Sequence, residues 1–249
     1  MKQHSQTLVP TRHARTMDDV YRYQRYIYDL TRKYYLFGRD TLLGTLDIPD
    51  GARVLEIGCG TGRNLVMAAR ANPQALFYGF DISSQMLKTA SAKAAKAGVD
   101  ERIITVAGDA EKFDARRAFQ LSGFQRVLFS YSLSMVPDWQ RAFSNALDQL
   151  TPDGSLHIVD FGEMERWPGF ARALMLKWLA RFHVQPRAGM TATVETLAKQ
   201  RGLSVSARKL AGGYAVLIMV SKEPVPAVQK PPEKADNSDE INFIHAMIP

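Results

Sequence analysis

The run Val54-Leu-Glu-Ile-Gly-Cys-Gly-Thr-Gly62 puts a carboxylate, Glu56, just ahead of three alternating glycines. An apolar stretch precedes it and a helix-patterned stretch follows, the setting in which a glycine-rich turn carries chemistry. Gly58, Gly60 and Gly62 let the backbone bend sharply and approach a ligand closely, with the small residues Cys59 and Thr61 between them. The spacing is not the GxGxxG that suits a pyrophosphate, and the lysine of a phosphate-binding loop is missing. A carboxylate at Glu56 would repel phosphate and attract a cationic group. Cys59, inside the turn, reads as a packing residue and not as a nucleophile.

Two further acids fall at strand ends. Asp81 closes the second apolar run, where a carboxylate can accept both hydroxyls of a ribose, and Ile82 and Met86 just beyond it join the same candidate wall. Gly108, Asp109 and Ala110 follow the third run, placed to meet an adenine edge. Either aspartate alone could be a helix N-cap. Three acids at successive strand ends make a nucleoside site carrying positive charge the better reading.

These residues need a scaffold that brings strand ends together. Residues 53–57, 76–80, 102–107, 125–130 and 155–160 read as five strands, with helices over about 63–71, 84–97 and 139–150. Strand-helix alternation implies a largely parallel sheet with helices on both faces. Segments 203–210 and 214–221, joined through Gly212-Gly213, read as a closing antiparallel pair. Residues 1–16 and the proline-bearing 223–249 read as flexible tails around one domain, 17–222.

Bulk properties narrow the class. The 249 residues, 46% hydrophobic, suffice for one α/β core. No apolar run is long enough to cross a bilayer and no secretory signal is visible, so the expectation is a cytoplasmic protein. One cysteine excludes an internal disulfide, and five scattered histidines give no metal-ligand spacing, so no metal is expected. The net charge of +7 favours a polyanionic partner, nucleic acid or anionic lipid.

With those residues in place, the sequence over about 40–221 resembles the class I S-adenosylmethionine-dependent methyltransferases. The resemblance implies a Rossmann-like, mostly parallel seven-stranded sheet with a C-terminal antiparallel strand and an added N-terminal helix. It also implies S-adenosyl-L-methionine as cofactor. Glu56, Gly58, Gly60 and Gly62 match the first motif, Asp81 the ribose acid, and Asp109 with Ala110 the adenine site. Ser130-Tyr131-Ser132 falls between cofactor and acceptor. The Asn/Asp-Pro-Pro-aromatic box usual in enzymes that methylate exocyclic base nitrogens is absent there, which argues against nucleobase chemistry.

Two segments are candidates for the acceptor side. Residues 18–37 form an amphipathic helix pattern, with Tyr28, Tyr34 and Tyr35 able to present ring faces to a methylated ammonium and Lys33 able to hold a carboxylate. Residues 167–182 place Trp167, Phe170, Ala171, Leu174, Met175, Trp178, Leu179 and Phe182 on one stripe with Arg172, Lys177 and Arg181 around it, the composition of a helix lying in a bilayer interface. Each could equally be a helix buried against the domain. The cationic surplus in these helices points to an anionic membrane surface and away from nucleic acid.

The runs Tyr23-Gln-Arg-Tyr-Ile-Tyr-Asp-Leu-Thr-Arg-Lys-Tyr-Tyr35, Gly38-Arg39-Asp40, Ser130-Tyr-Ser-Leu-Ser-Met-Val-Pro-Asp-Trp139 and Val159-Asp-Phe161 are similar to bacterial betaine-lipid N-methyltransferases. That resemblance implies three methyl transfers to diacylglyceryl homoserine, by an enzyme peripherally held at the inner membrane. Tyr131, Asp160 and His183 are candidates for removing the amine proton, and Arg187 for holding the substrate carboxylate. The alternatives are a phosphatidylethanolamine-type N-methyltransferase and a non-catalytic nucleotide- or RNA-binding module of the same fold.

Overall fold

The computed structural model describes residues 36–181, 184 and 186–222. The candidates Tyr28, Lys33, Tyr34, Tyr35 and His183, both tails, and all of the 18–37 segment before Leu36 lie outside the described residues.

In chain order the elements are α1 (Arg39–Gly44), β1 (Arg53–Ile57), α2 (Arg63–Ala71), β2 (Leu76–Asp81), α3 (Ser84–Ala97) and β3 (Ile103–Ala107). There follow α4 (Ala115–Phe119), β4 (Phe124–Ser130), α5 (Trp139–Asp148), β5 (Leu150–Phe161), α6 (Gly169–Ala180), α7 (Met190–Gln200), β6 (Ser204–Leu210) and β7 (Ala215–Ser221). The strands form one sheet in the order β3-β2-β1-β4-β5-β7-β6. Pairings from β3 to β5 are parallel, and β7 runs antiparallel to both β5 and β6. This is the mostly parallel sheet with one reversed strand that the resemblance implied.

Successive strand residues feed opposite cores, as the two-residue period requires. Val54, Leu128, Val159 and Phe161 pack with α1, α2, α3 and α6 on one face. Leu55, Val127, Phe129 and Ile158 pack with α4, α5 and α7 on the other. Both faces are covered, which is why the central strands read as continuous apolar runs. Ser83 caps α3 and Asp138 caps α5, each accepting a backbone N–H from three residues on.

Beyond one-residue shifts at the ends of β2, β4, β6 and β7, the expected elements need four corrections. β5 begins at Leu150, not 155, and takes the end of the expected 139–150 helix into the sheet through a register shift opposite β4. Arg102 belongs to a 3-10 turn before β3. α1, α4 and α7 are additional helices. In α6 the expected single stripe divides, with Met175 and Leu179 buried while Phe170 and Leu174 are exposed. Trp167 precedes the helix, stacks on Tyr214 and donates its indole N–H to the Ala211 carbonyl at 3.1 Å.

Candidate active site

The carboxyl ends of β1, β2, β3 and β4 enclose a cavity of about 370 Å³, within the roughly 300–1,000 Å³ usual for small-ligand sites. Its wall includes Gly58 and Gly60 from the first turn, Asp81, Ile82 and Met86 after β2, and Gly108, Asp109 and Ala110 after β3. Tyr131 closes it from the end of β4. Residues from four separate strand ends thus meet because parallel strands deliver their carboxyl ends to one edge.

The glycine turn is fixed from both sides. Gly58 and Cys59 donate their N–H groups to the Phe80 carbonyl at 2.9 and 3.1 Å, pinning the turn to the end of β2. Gly60 N–H donates to Oδ2 of Asp81 at 2.8 Å, and Ser83 N–H to Oδ1 at 2.9 Å. Asp81 is therefore held as an ionic acceptor at the cavity wall, hydrogen-bonded through both oxygens. Gly58 has φ +72°, and a Cβ there would stand 2.7 Å from that of Ser132.

Other expected cofactor residues support the wall from behind. Glu56 is 2% exposed and its Oε1 accepts the Asn64 side-chain amide at 2.8 Å, so its carboxylate lies behind the lining and not in it. Cys59 is buried, and burial together with the nearby Asp81 and Glu56 charges raises its thiol pKa, leaving it an inert packing group. Thr61 accepts from Lys93 Nζ at 2.9 Å, Gly62 lies against Ala90, and Ser130 is buried.

The expected proton acceptors are placed differently from the sequence reading. Tyr131 is buried with φ +56°, and its hydroxyl donates to the Phe37 carbonyl at 2.5 Å. Burial, then the neighbouring Tyr214 and Asp160, push its pKa well above the usual phenol value, so it lines the cavity as a neutral ring and not as a base. Asp160 is fully buried and absent from the cavity lining. It accepts the backbone N–H of Ser134 at 3.1 Å and of Phe161 at 2.8 Å, and burial pushes its pKa up to about 6. Its place is to hold the Leu133–Met135 turn, whose Met135 reaches the cavity.

Arg187 stands beside the site. Its Nη2 donates to the Val136 carbonyl at 2.6 Å, and Val136 lines the cavity rim. The guanidinium also borders a neighbouring cavity of about 190 Å³ with Glu163, Glu165 and Lys209. Phe80, Glu111, Lys112, Ser132, Met135, Val136 and Pro137 complete the main wall and were not among the expected site residues. Ser132 and Met135 fell within the Ser130–Trp139 run, and the bond from Ser132 Oγ to the Ile57 carbonyl at 2.8 Å shows why that run reaches β1.

The residues fit S-adenosylmethionine. Asp81, Asp109 and Glu111 against Lys112 make the wall net acidic, which disfavours a pyrophosphate and suits a ligand carrying sulfonium and ammonium charge. Residues 48–202 match the family of methyltransferase domains, and the chain belongs to that family. Its fold is that of the class I S-adenosylmethionine-dependent methyltransferases, and S-adenosyl-L-methionine is its cofactor.

Among relatives, 27-O-demethylrifamycin SV methyltransferase of Amycolatopsis mediterranei is 33% identical over 49% of this chain and 43% of its own length. A ubiquinone/menaquinone biosynthesis C-methyltransferase of Desulfotalea psychrophila is 28% identical over 53% of each. The chain thus spans about half of the relatives it matches. The solved phosphoethanolamine N-methyltransferase 2 of Haemonchus contortus, in complex with S-adenosyl-L-methionine, shares the fold at 20% identity with a TM-score of 0.57, over 70% of this chain and 38% of that one.

Proposed function

We propose that the chain is an N-methyltransferase that carries the amine of diacylglyceryl homoserine to its trimethylated betaine form. The observation that carries this reading is the pairing of a net acidic cavity with the Arg187 guanidinium bound to its rim. A homoserine headgroup bears a carboxylate beside its amine. Arg187 would hold the former at the rim, while the field of the acidic donor side favours the positive charge that accumulates on the latter.

S-adenosylmethionine supplies an electrophilic methyl group on a sulfonium. Transfer to an amine would be an in-line displacement, so the chain's own work is proximity and alignment, worth about 7–11 kcal/mol. Asp81 and the glycine turn orient the donor side. Tyr131, Met135, Val136 and Pro137 shape the acceptor side as an apolar wall. The amine sheds its proton to solvent, since Tyr131 is held neutral and Asp160 is sealed away from the cavity.

The test is incubation of the purified chain with labelled cofactor and diacylglyceryl homoserine in mixed micelles, with products weighed by mass. Successive gains of one, two and three methyl groups are expected, with phosphatidylethanolamine left unmodified. A second reading, O- or C-methylation of a small molecule, is favoured by the names of these two relatives. Label entering an oxygen- or carbon-methylated small molecule and no glycerolipid would establish it and overturn the lipid assignment.

A further inference from the structure

α6 leaves the fold with two opposed faces. Met175 and Leu179, each 1% exposed, pack into the core that also holds Tyr131, the residue closing the cavity. Trp178 and Leu176 pack against that same core. On the other side Phe170 is 76% and Leu174 59% exposed, and these are the most exposed large hydrophobic side chains among the described residues. Steps of four, three and four residues place Phe170, Leu174, Lys177 and Arg181 on one stripe.

A large aromatic and a large aliphatic side chain held outward side by side mark an interaction surface. The charges around them select the partner. Arg166, Arg172, Lys177 and Arg181 are all exposed, and the segment 166–181 contains no acidic residue. Glu165, next before it, is already paired with Lys209 at 2.5 Å. A second copy of this chain docked stripe to stripe across a two-fold axis would set the same cations against one another. An anionic bilayer instead takes the apolar pair below its headgroups and the cations at their level.

We propose that the outer face of α6 is the membrane-docking surface, with Phe170 and Leu174 inserted and Lys177 and Arg181 bound to anionic lipid headgroups. The surface rests on the lipid-substrate reading for its purpose but not for its physics. It departs from an interface built on Trp167 and Trp178, because both indoles are committed to the fold's interior. The helix also begins eight residues after Phe161 ends β5, at the edge where the cavity opens, so docking would bring the acceptor side toward the lipid.

The experiment is co-sedimentation of the full chain with vesicles of phosphatidylcholine alone and with added phosphatidylglycerol. Binding is expected with the anionic vesicles and is expected to weaken as salt rises. Phe170→Ser with Leu174→Ser should lower partitioning roughly 100-fold, since each buried side chain of this size is worth about tenfold or more. Lys177→Glu with Arg181→Glu should abolish the preference for anionic vesicles. Both variants should keep calorimetric affinity for S-adenosylmethionine, because none of these side chains touches the cavity.

Wild-type protein left in the supernatant of both vesicle types would overturn the docking surface. So would a dimer that the serine pair dissociates, or binding indifferent to both variants. Methylation of diacylglyceryl homoserine in detergent micelles needs no bilayer. Success there without vesicle binding would sink the docking face alone, and vesicle binding without lipid methylation would sink the substrate reading alone.

Discussion

Asn64 donates its side-chain amide to Oε1 of Glu56 at 2.8 Å, with both groups buried beneath the glycine turn. Arg63 in turn donates to Asn64 Oδ1 at 3.3 Å and pairs with Asp40 at 2.9 Å, which fixes the orientation of the amide. Asn64→Asp would set a second carboxyl against Glu56, and one of the two must then stay protonated. A raised folded-state pKa stabilises below the unfolded value and is lost as pH rises. The variant should therefore lose about 2 kcal/mol relative to wild type between pH 5 and 8, read by urea denaturation. Calorimetry should find affinity for S-adenosylmethionine about tenfold weaker, while 5′-methylthioadenosine, which lacks both the amino-acid end and the sulfonium charge, binds as before. An equal loss for both ligands would mean that the pair supports the turn in general and not that end of the cofactor.

Asp81→Asn keeps the size of the residue that Gly60 and Ser83 hold but removes its charge and sets an amide NH2 against one of those two N–H donors. Hydrogen bonds to a charged acceptor contribute roughly 1.5–3 kcal/mol each, so losing two to a ribose should weaken cofactor binding about 100-fold or more. Isothermal calorimetry at fixed pH measures this. An unchanged dissociation constant would remove Asp81 from the site.

Tyr131→Phe separates a ring that shapes the wall from a hydroxyl that moves a proton. The hydroxyl is occupied by the Phe37 carbonyl, so the expected cost is about 1 kcal/mol of stability with little change in turnover. A general base would contribute about 10²–10⁴-fold. A loss on that scale, or a shifted alkaline limb in the pH–rate profile, would restore Tyr131 as the proton acceptor.

His157 and Asp160, three residues apart on β5, should give opposite pH dependences of stability. Thr45 Oγ1 donates to the Leu42 carbonyl at 2.7 Å, so the 3.3 Å contact with His157 leaves Nδ1 as the donor and Nε2 accepting from Ser155 at 2.8 Å. Burial, then Arg126, lowers the His157 pKa to about 3. Its contribution is complete above about pH 6.5 and is lost as the pH falls toward 3, up to about 5 kcal/mol. Asp160, raised to about 6, is most favourable below about pH 4 and costs up to about 3 kcal/mol as the pH rises past 6. Denaturant titrations of His157→Gln and Asp160→Asn should each flatten one of these arms. Parallel wild-type and variant curves would refute the assignment.

The cofactor side of the site was legible because it is local. Glycines and acids at strand ends announce themselves within a few residues, and β1 and the first two α/β crossovers stand where the periodicity put them. What escaped was direction and distance. Glu56 shares strand parity with Val54 and so faces α2, where Asn64 meets it, and a motif alone does not state that parity. α7 carries Thr191, Thr193, Val194 and Thr196, side chains of weak helix propensity. Burial of Met190, Val194 and Ala198 at four-residue steps overrides that preference. The left-handed backbone of Tyr131 is imposed by packing against Phe161 and by its bond to Phe37, neither of which is near it in sequence.

The reversal of β7 has a consequence for how such a chain can diversify. Because that strand runs against its neighbours, the 211–214 hairpin returns to the ligand edge with no helical crossover, and Tyr214 arrives beside Phe161 and Trp167. The donor-side wall is drawn from residues 58–112, whereas the opposite flank is drawn from 131–137, 161–165, 187–192 and this hairpin. Grafting the latter segments between relatives should exchange acceptor preference while the grip on the adenosyl group carries over unaltered.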